Sequence, residues 1–197
     1  VPAPPSIDRS HGTRIAPPDE RESRERTPDQ RVYGRFPAIY RLSAALTSLL
    51  PPGSSVRRRV LGRQMRRTYA AANRGDFELV LIGIADDFEY RPSRDLMPPD
   101  MPPVFHGHEG YVAVWRHWLD AFEDIRWDPE EVIDLGDRML VTTHQRGHGA
   151  GSGIGLTEPV FQVFEMRRGL VVRQSDFLDR AEAMRAAGLS AAAPSCS

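Results

Sequence analysis

Asn73-Arg74-Gly75-Asp76, then eight mostly apolar residues, then Ala85-Asp86-Asp87-Phe88-Glu89-Tyr90: this stretch decides the fold of the chain. An arginine-rich helical pattern ends at Asn73. Gly75 can supply the positive φ that closes a helix, and Asp76 stands where it can cap the next one. The second helix is short, and the acidic Ala85-Asp86-Asp87 turn tips the chain into a strand beginning near Phe88.

Working outward, Val56, Val60, Leu61, Met65 and Tyr69 recur at helical spacing, with Ser54 or Ser55 as the cap. The other face of that helix carries Arg57, Arg58, Arg59, Arg63, Arg66 and Arg67 and reads as solvated rather than as a phosphate-binding surface. Before Pro51-Pro52, the residues Phe36, Ile39, Leu42, Leu46, Leu49 and Leu50 mark an earlier helix whose apolar stripe must cover something. Downstream, Pro92 to Pro103 is a proline-rich loop carrying Met97 and Met101, either a lid or a stiff connector. Gly107-His108-Glu109-Gly110 leads into a third helix with Val112, Trp115, Trp118, Leu119 and Phe122 along one side. Four strands follow, over Trp127–Leu135, Arg138–His148, Glu158–Met166 and Leu170–Leu178, with tight turns at Leu135-Gly136-Asp137 and Arg168-Gly169. Asp179-x-x-Glu182 caps a last helix that Gly188 closes.

The domain plan is therefore 1–31 disordered or an over-extended translation start (the chain opens on Val1), 32–52 a helical arm, 53–189 the folded domain and 190–197 a loose tail. A chain starting at Gln30 is expected to melt within a degree or two of the full chain.

The sequence has 197 residues, 40 % hydrophobic, enough for one core. Its formal net charge of −1 gives no global reason to expect nucleic acid or a membrane as partner. All 26 basic residues are arginine, which excludes Schiff-base lysine chemistry and a P-loop lysine. The lone Cys196 cannot form an internal disulfide, and the cytoplasm is the expected compartment.

Helices, strand, helix and a four-strand meander make an α+β fold with a bent sheet. The order and spacing of Asn73-Arg74-Gly75-Asp76, Phe88-Glu89-Tyr90, Gly107-His108-Glu109-Gly110, Asp134-Leu135-Gly136-Asp137 and Gly169-Leu170-Val171-Val172 resemble the SnoaL-like branch of the nuclear transport factor 2-like superfamily, over about Phe36 to Leu189. That resemblance implies a cone-shaped, curved antiparallel sheet wrapped around helices with an internal pocket (a cystatin-like roll), here with an extra N-terminal helix. It also implies pairing as a homodimer through the outer face of the sheet, where Arg173, Gln162 and Phe164 are candidates.

In the last strand, Leu170, Val172, Gln174, Asp176 and Leu178 alternate with Val171, Arg173, Ser175 and Phe177. Set beside ketosteroid isomerases, the first set faces the pocket. SnoaL-type polyketide cyclases carry an acid/base carboxyl in a similar segment, which implies a catalytic role for Asp176 with Gln174 orienting substrate or water. A carboxyl in an apolar pocket has its pKa raised towards neutrality, whereas pairing with Arg91 or Arg173 would lower it. Tyr90, Arg91, Trp115, Trp118 and His144 are the candidate ligand-binding residues. The ketosteroid isomerase pattern itself is broken: its tyrosine would fall near Thr68, its base at Arg91 before Pro92 and its protonated aspartic acid near Val163.

His106, His108, Glu109, His144 and His148 supply ligand types but no recognisable three-ligand spacing, so no metal is expected. The alternating Gly147, Gly149, Gly151, Gly153 and Gly155 read as one bare strand face, because no helix follows to make a phosphate cradle. Two readings stay open. One is a cofactor-independent cyclase, isomerase, dehydratase or hydrolase on a small apolar polyketide- or terpenoid-like molecule. The other is a non-catalytic ligand-binding, dimerisation or accessory module.

Overall fold

A computed structural model describes residues 12–16, 24–151 and 153–189. The expected loose tail, 190–197, lies outside the described residues. Six helices and seven strands are seen among them: β1 (Gly12–Arg14), α1 (Pro28–Arg35), α2 (Pro37–Ser48), α3 (Ser55–Asn73), α4 (Phe77–Leu81), β2 (Ile84–Arg91), β3 (Phe105–His106), α5 (Gly107–Ala121), β4 (Arg126–Asp134), β5 (Arg138–His148), β6 (Gly155–Arg167), β7 (Leu170–Phe177) and α6 (Arg180–Ala186). The α+β architecture read from the sequence is the one observed.

One mixed sheet runs in the order β1-β4-β5-β6-β7-β2-β3. The meander β4 to β7 is antiparallel throughout, but β2 pairs with β7 in parallel, a departure from the all-antiparallel expectation. No hairpin joins those two strands; α5 and four strands separate them, so nothing local forces them to run antiparallel. Arg168 and Gly169 both have positive φ, 52° and 78°, and make the tight β6–β7 turn. Register shifts at Pro129/Glu131 and Glu165/Met166 mark the bulges that let the sheet curve. The second shift also rephases the start of β7: Val171, rather than Val172, packs on the inner core.

The inner face of the sheet takes α3 and α5, with Phe88, Val114, Met139 and Val141 fully buried between them. The outer face is partly covered by α6, whose Ala183 and the following Ala187 and Leu189 sit on Leu140, Phe161 and Val163. Gln162 and Phe164 are therefore not outer-face residues; they point inward and are buried, which removes them from any interface through the sheet. The glycine run is not one strand face either. Gly147 ends β5 beside Ile125, while Gly151 and Gly153 carry the positive φ of the β5–β6 turn.

The N-terminal segment departs most from expectation. Residues 1–11 and 17–23 lie outside the described residues, but Gly12–Arg14 adds a strand to the free edge of β4, and Ile15 is buried in the inner core. One apolar residue in a polar window carries no periodic signal; the strand forms because β4 offers an unpaired edge. Further on, Arg26 grips both carboxylate oxygens of Asp76 at 2.7 Å and also reaches Glu78. Asp76 sits at the N-cap of α4 but spends its side chain on Arg26 and Arg74 instead of capping.

The helix expected over Phe36 to Leu50 is α2, and a further helix, α1, precedes it from Pro28; the two are broken at Phe36-Pro37, since the residue before a proline is driven out of the helical region. Arg57 is no solvated arginine. It is buried, holds Asp134 through two nitrogens at 2.7 and 2.9 Å, and donates to the carbonyls of Ser48, Leu50 and Gly136. One guanidinium thus ties the end of α2 to the β4–β5 turn.

A chain beginning at Gln30 should consequently melt at least about 5 °C below the full chain, because it loses β1, Ile15 and the Arg26–Asp76 pair. Differential scanning calorimetry of both chains reads this directly; equal melting temperatures would mean that the segment contributes nothing.

Candidate functional site

The inner face of the meander carries a layer of polar side chains where apolar ones would be the default. Alternation along each strand turns Thr143 and Gln145 of β5, Gln162 of β6, and Gln174 and Asp176 of β7 to the same side. All five are buried, Asp176 at 7 % exposure being the most open. Tyr90 from β2 donates to Asp176 Oδ2 at 2.7 Å. Gln174 and Gln162 each donate through Nε2 to Asp176 Oδ1, at 2.9 and 3.2 Å.

The carboxylate fixes which way the two glutamines face, since a flipped amide would set its oxygen against Asp176 Oδ1. Gln174 Oε1 accepts from the Tyr111 hydroxyl at 3.2 Å. Gln162 Oε1 accepts from Tyr69 and, at 2.9 Å, from Thr143 Oγ1. With their oxygens occupied by hydroxyl donors, both amides present N–H to the carboxyl. Asp176 therefore accepts two bonds on Oδ1 and one on Oδ2, which leaves one acceptor position, on Oδ2.

No cation balances this group among the described residues. Arg173 is held by Glu165 and Glu89 on the outer face, and Arg91 by Glu89. Burial pushes the Asp176 carboxyl up to about 6, outweighing the three hydrogen bonds that favour the charged form. Burial likewise raises the phenols of Tyr69, Tyr90 and Tyr111, so all three remain donors at neutral pH.

Beside this network is a small cavity of about 20 Å³, room for roughly one water molecule. Its walls are Tyr90, Val114, Trp115, Trp118, Trp127 and Val160, with Leu96 from the proline-rich loop over it and Gln145, Gln162, Gln174 and Asp176 as its polar groups. Trp115 and Trp127 meet edge to face at 4.3 Å. Gln145 lines the cavity, and its Nε2 is buried with no hydrogen-bond partner. A larger groove of about 310 Å³ lies outside the cone, between the N-terminal helices and α3. Its half-buried Tyr40 is bonded to Gln64 and Gln30 donates to the Arg67 carbonyl, so the smaller cavity, with the uncompensated carboxyl, is the better candidate.

The profile of the SnoaL-like domain family matches residues 65–174, more than half of the chain. The chain belongs to this family. No curated protein matches the sequence. Among solved structures, an NTF2-like protein of unknown function from Burkholderia pseudomallei is similar at 28 % identity and a TM-score of 0.54, over 62 % of this chain and 93 % of that one. TerC, crystallised with polyporic acid, matches at 23 % identity and a TM-score of 0.53, over 62 % and 94 % of the two chains. IdmH, a proposed polyketide cyclase from Streptomyces antibioticus, matches at 20 % identity and 0.52, over 64 % and 97 %. The last two likenesses concern the fold.

On this SnoaL-like cone, five of the residues singled out by sequence meet at the cavity: Asp176, Gln174, Tyr90, Trp115 and Trp118. Arg91 and His144 do not. Arg91 follows inward-facing Tyr90 and is exposed, and His144 follows inward-facing Thr143 and pairs with Glu130. His148 pairs with Asp124 and His108 contacts the Ile84 carbonyl, so the histidines are dispersed rather than gathered. Gln145, Thr143 and Trp127 are not singled out by the sequence, and Gln162 is assigned there to the outer face, although polar residues at alternate positions of an apolar strand are a usable signal. The tyrosine and the polar residue on β6 that face inward are Tyr69 and Gln162, each one residue from the positions Thr68 and Val163 compared by eye.

The raised Asp176 pKa fixes a pH dependence. A carboxyl at 3.8 when unfolded and about 6 when folded contributes stability that is fully present below pH 3.8 and lost as pH rises through 6, about 3 kcal/mol in all. Asp76, by contrast, is held low by Arg26 and loses its contribution only as the pH falls below the ordinary carboxylate range. Between pH 5 and 7, Asp176→Asn should therefore gain stability relative to the parent, read as the difference between their melting temperatures. A difference independent of pH would place the Asp176 pKa near its ordinary value.

Proposed function

We propose that this SnoaL-like protein is a cofactor-independent acid–base enzyme acting on a small, uncharged, polyketide- or terpenoid-like carbonyl compound. The observation that carries the reading is a buried carboxyl, without a cationic partner, whose pKa is raised to about 6 at the wall of an aromatic cavity. General acid–base work needs such a value, and the uncharged interior disfavours a phosphate or carboxylate substrate.

In this reading the ionised Asp176 takes a proton from carbon next to the substrate carbonyl, at its open Oδ2 position, and returns it elsewhere on the product. Tyr90, Gln162 and Gln174 hold the carboxylate in place. Gln145 Nε2 donates to the carbonyl oxygen, where negative charge develops as the proton leaves. Tyr90, Trp115 and Trp118 supply flat apolar walls, and Arg91 and His144 take no part. The cavity is narrow, with Leu96 of the proline-rich loop in its wall, so a substrate larger than water requires that wall to give way.

That small volume also favours a second reading, a pocket that binds without turnover. Polyporic acid, the molecule crystallised with TerC, is a suitable first binding probe, followed by quenching of the cavity tryptophans. Proton abstraction is tested with 2-tetralone in deuterated buffer, where exchange at its activated carbon is read by NMR. The parent should accelerate exchange, Asp176→Asn should lower it roughly 10²-fold or more, and Gln145→Leu should lower it with Asp176 intact. Binding without exchange, in parent and variants alike, would support the pocket-only reading instead.

A further inference from the structure

The arm helix α2 is turned inside out. Its small and polar residues Tyr40, Ala44, Thr47 and Ser48 face the protein: Ala44 is buried against Gly169, where no Cβ would fit, and Tyr40 bonds to Gln64. Its large apolar residues face away, with Leu42 62 %, Leu46 57 % and Leu49 79 % exposed. Of the nine exposed large apolar residues described, eight lie between Val32 and Val60.

On α2 the spacing is specific. Ile39, Leu42, Leu46 and Leu49 follow the 3-4-3 pattern of a helix–helix seam, not the broader stripe of a helix laid on a sheet. The positions flanking the seam are Ala38, Ser43 and Ala45, small and uncharged, so another helix can approach closely without burying charge. At roughly 200 Å² per large apolar residue, exposures of 47–79 % over Ile39, Leu42, Leu46 and Leu49 leave on the order of 500 Å² on this one seam. That stands at the upper end of the apolar patch a monomer usually shows and supplies the apolar centre of the roughly 800 Å² each partner gives to a stable interface. The outer face of the sheet offers nothing comparable, since α6 covers part of it and Arg173, Glu165, Glu89 and Arg91 pair there within the chain.

We infer that the occupant of this seam is α2 of a second copy, so that the protein pairs through its arm and not through the sheet. Pairing across a two-fold axis sets Leu42 and Leu46 at the centre of the contact.

Sedimentation velocity on the full chain and on Leu42→Glu/Leu46→Glu tests this. The parent should sediment at twice the chain mass, and the variant should dissociate at least roughly 10²-fold more readily, since two central hot spots are lost. Its melting temperature, measured at a concentration where the parent is already monomeric, should match the parent's. In a Cys196→Ser background, Leu46→Cys should give a cross-linked dimer with a short bis-maleimide, which keeps the inference testable if the charged variant misfolds. A parent of one chain mass, a dimer that survives Leu42→Glu/Leu46→Glu, or an absent cross-link would each overturn it. So would a monomer that co-sediments with phosphatidylcholine–phosphatidylglycerol vesicles through the same leucines.

Discussion

The cone is organised around a carboxyl that has lost its water without gaining a cation. Removing Asp176 from solvent costs free energy that three neutral hydrogen bonds offset only in part, and the residual cost appears as the raised pKa. The arrangement holds because each donor is itself fixed. Tyr111 and the Tyr69–Thr143 pair occupy the oxygens of Gln174 and Gln162, and the amide hydrogens have nowhere else to point. Such a network has one sense of direction, from hydroxyls through amides to a single acceptor, and it ends at the cavity.

The walls protect that state. Trp115 and Trp127 from a helix and a strand line one side, and Leu96 lines another, next to Met97, which is buried in the inner core. The unpartnered Gln145 donor and the open Oδ2 position of Asp176 are incompletely bonded groups of that lining, which is where a ligand can gain most.

The arm obeys different rules. Arg57 anchors the end of α2 by satisfying three carbonyls and Asp134 at once, and Gly169 allows the backbone of α2 to sit directly on the β6–β7 turn. These contacts use the small side of the helix and leave its leucines outward. The chain thus separates two surfaces, a polar interior at the cavity and an apolar exterior on the arm, joined through α3 and the sheet.

Much of this could be read from the sequence because its signals are local. The Gly75 turn, the alternation of the meander, the Gly136 and Gly169 turns, and the Asp179 cap that accepts from the Glu182 amide at 2.7 Å depend on neighbours a few residues apart. Period two alone put Gln174 and Asp176 on one face. What the sequence could not decide depends on distant partners. Gly12–Arg14 becomes a strand only because β4 has a free edge, and Arg57 leaves solvent only because Asp134 waits 77 residues away. Gln162 belongs with Asp176, and Arg91 does not, because of how β6, β7 and β2 lie side by side. Local patterns fix which residues share a face; only the packed sheet decides which face is inside, since that choice is made by the sum of burial over the whole domain.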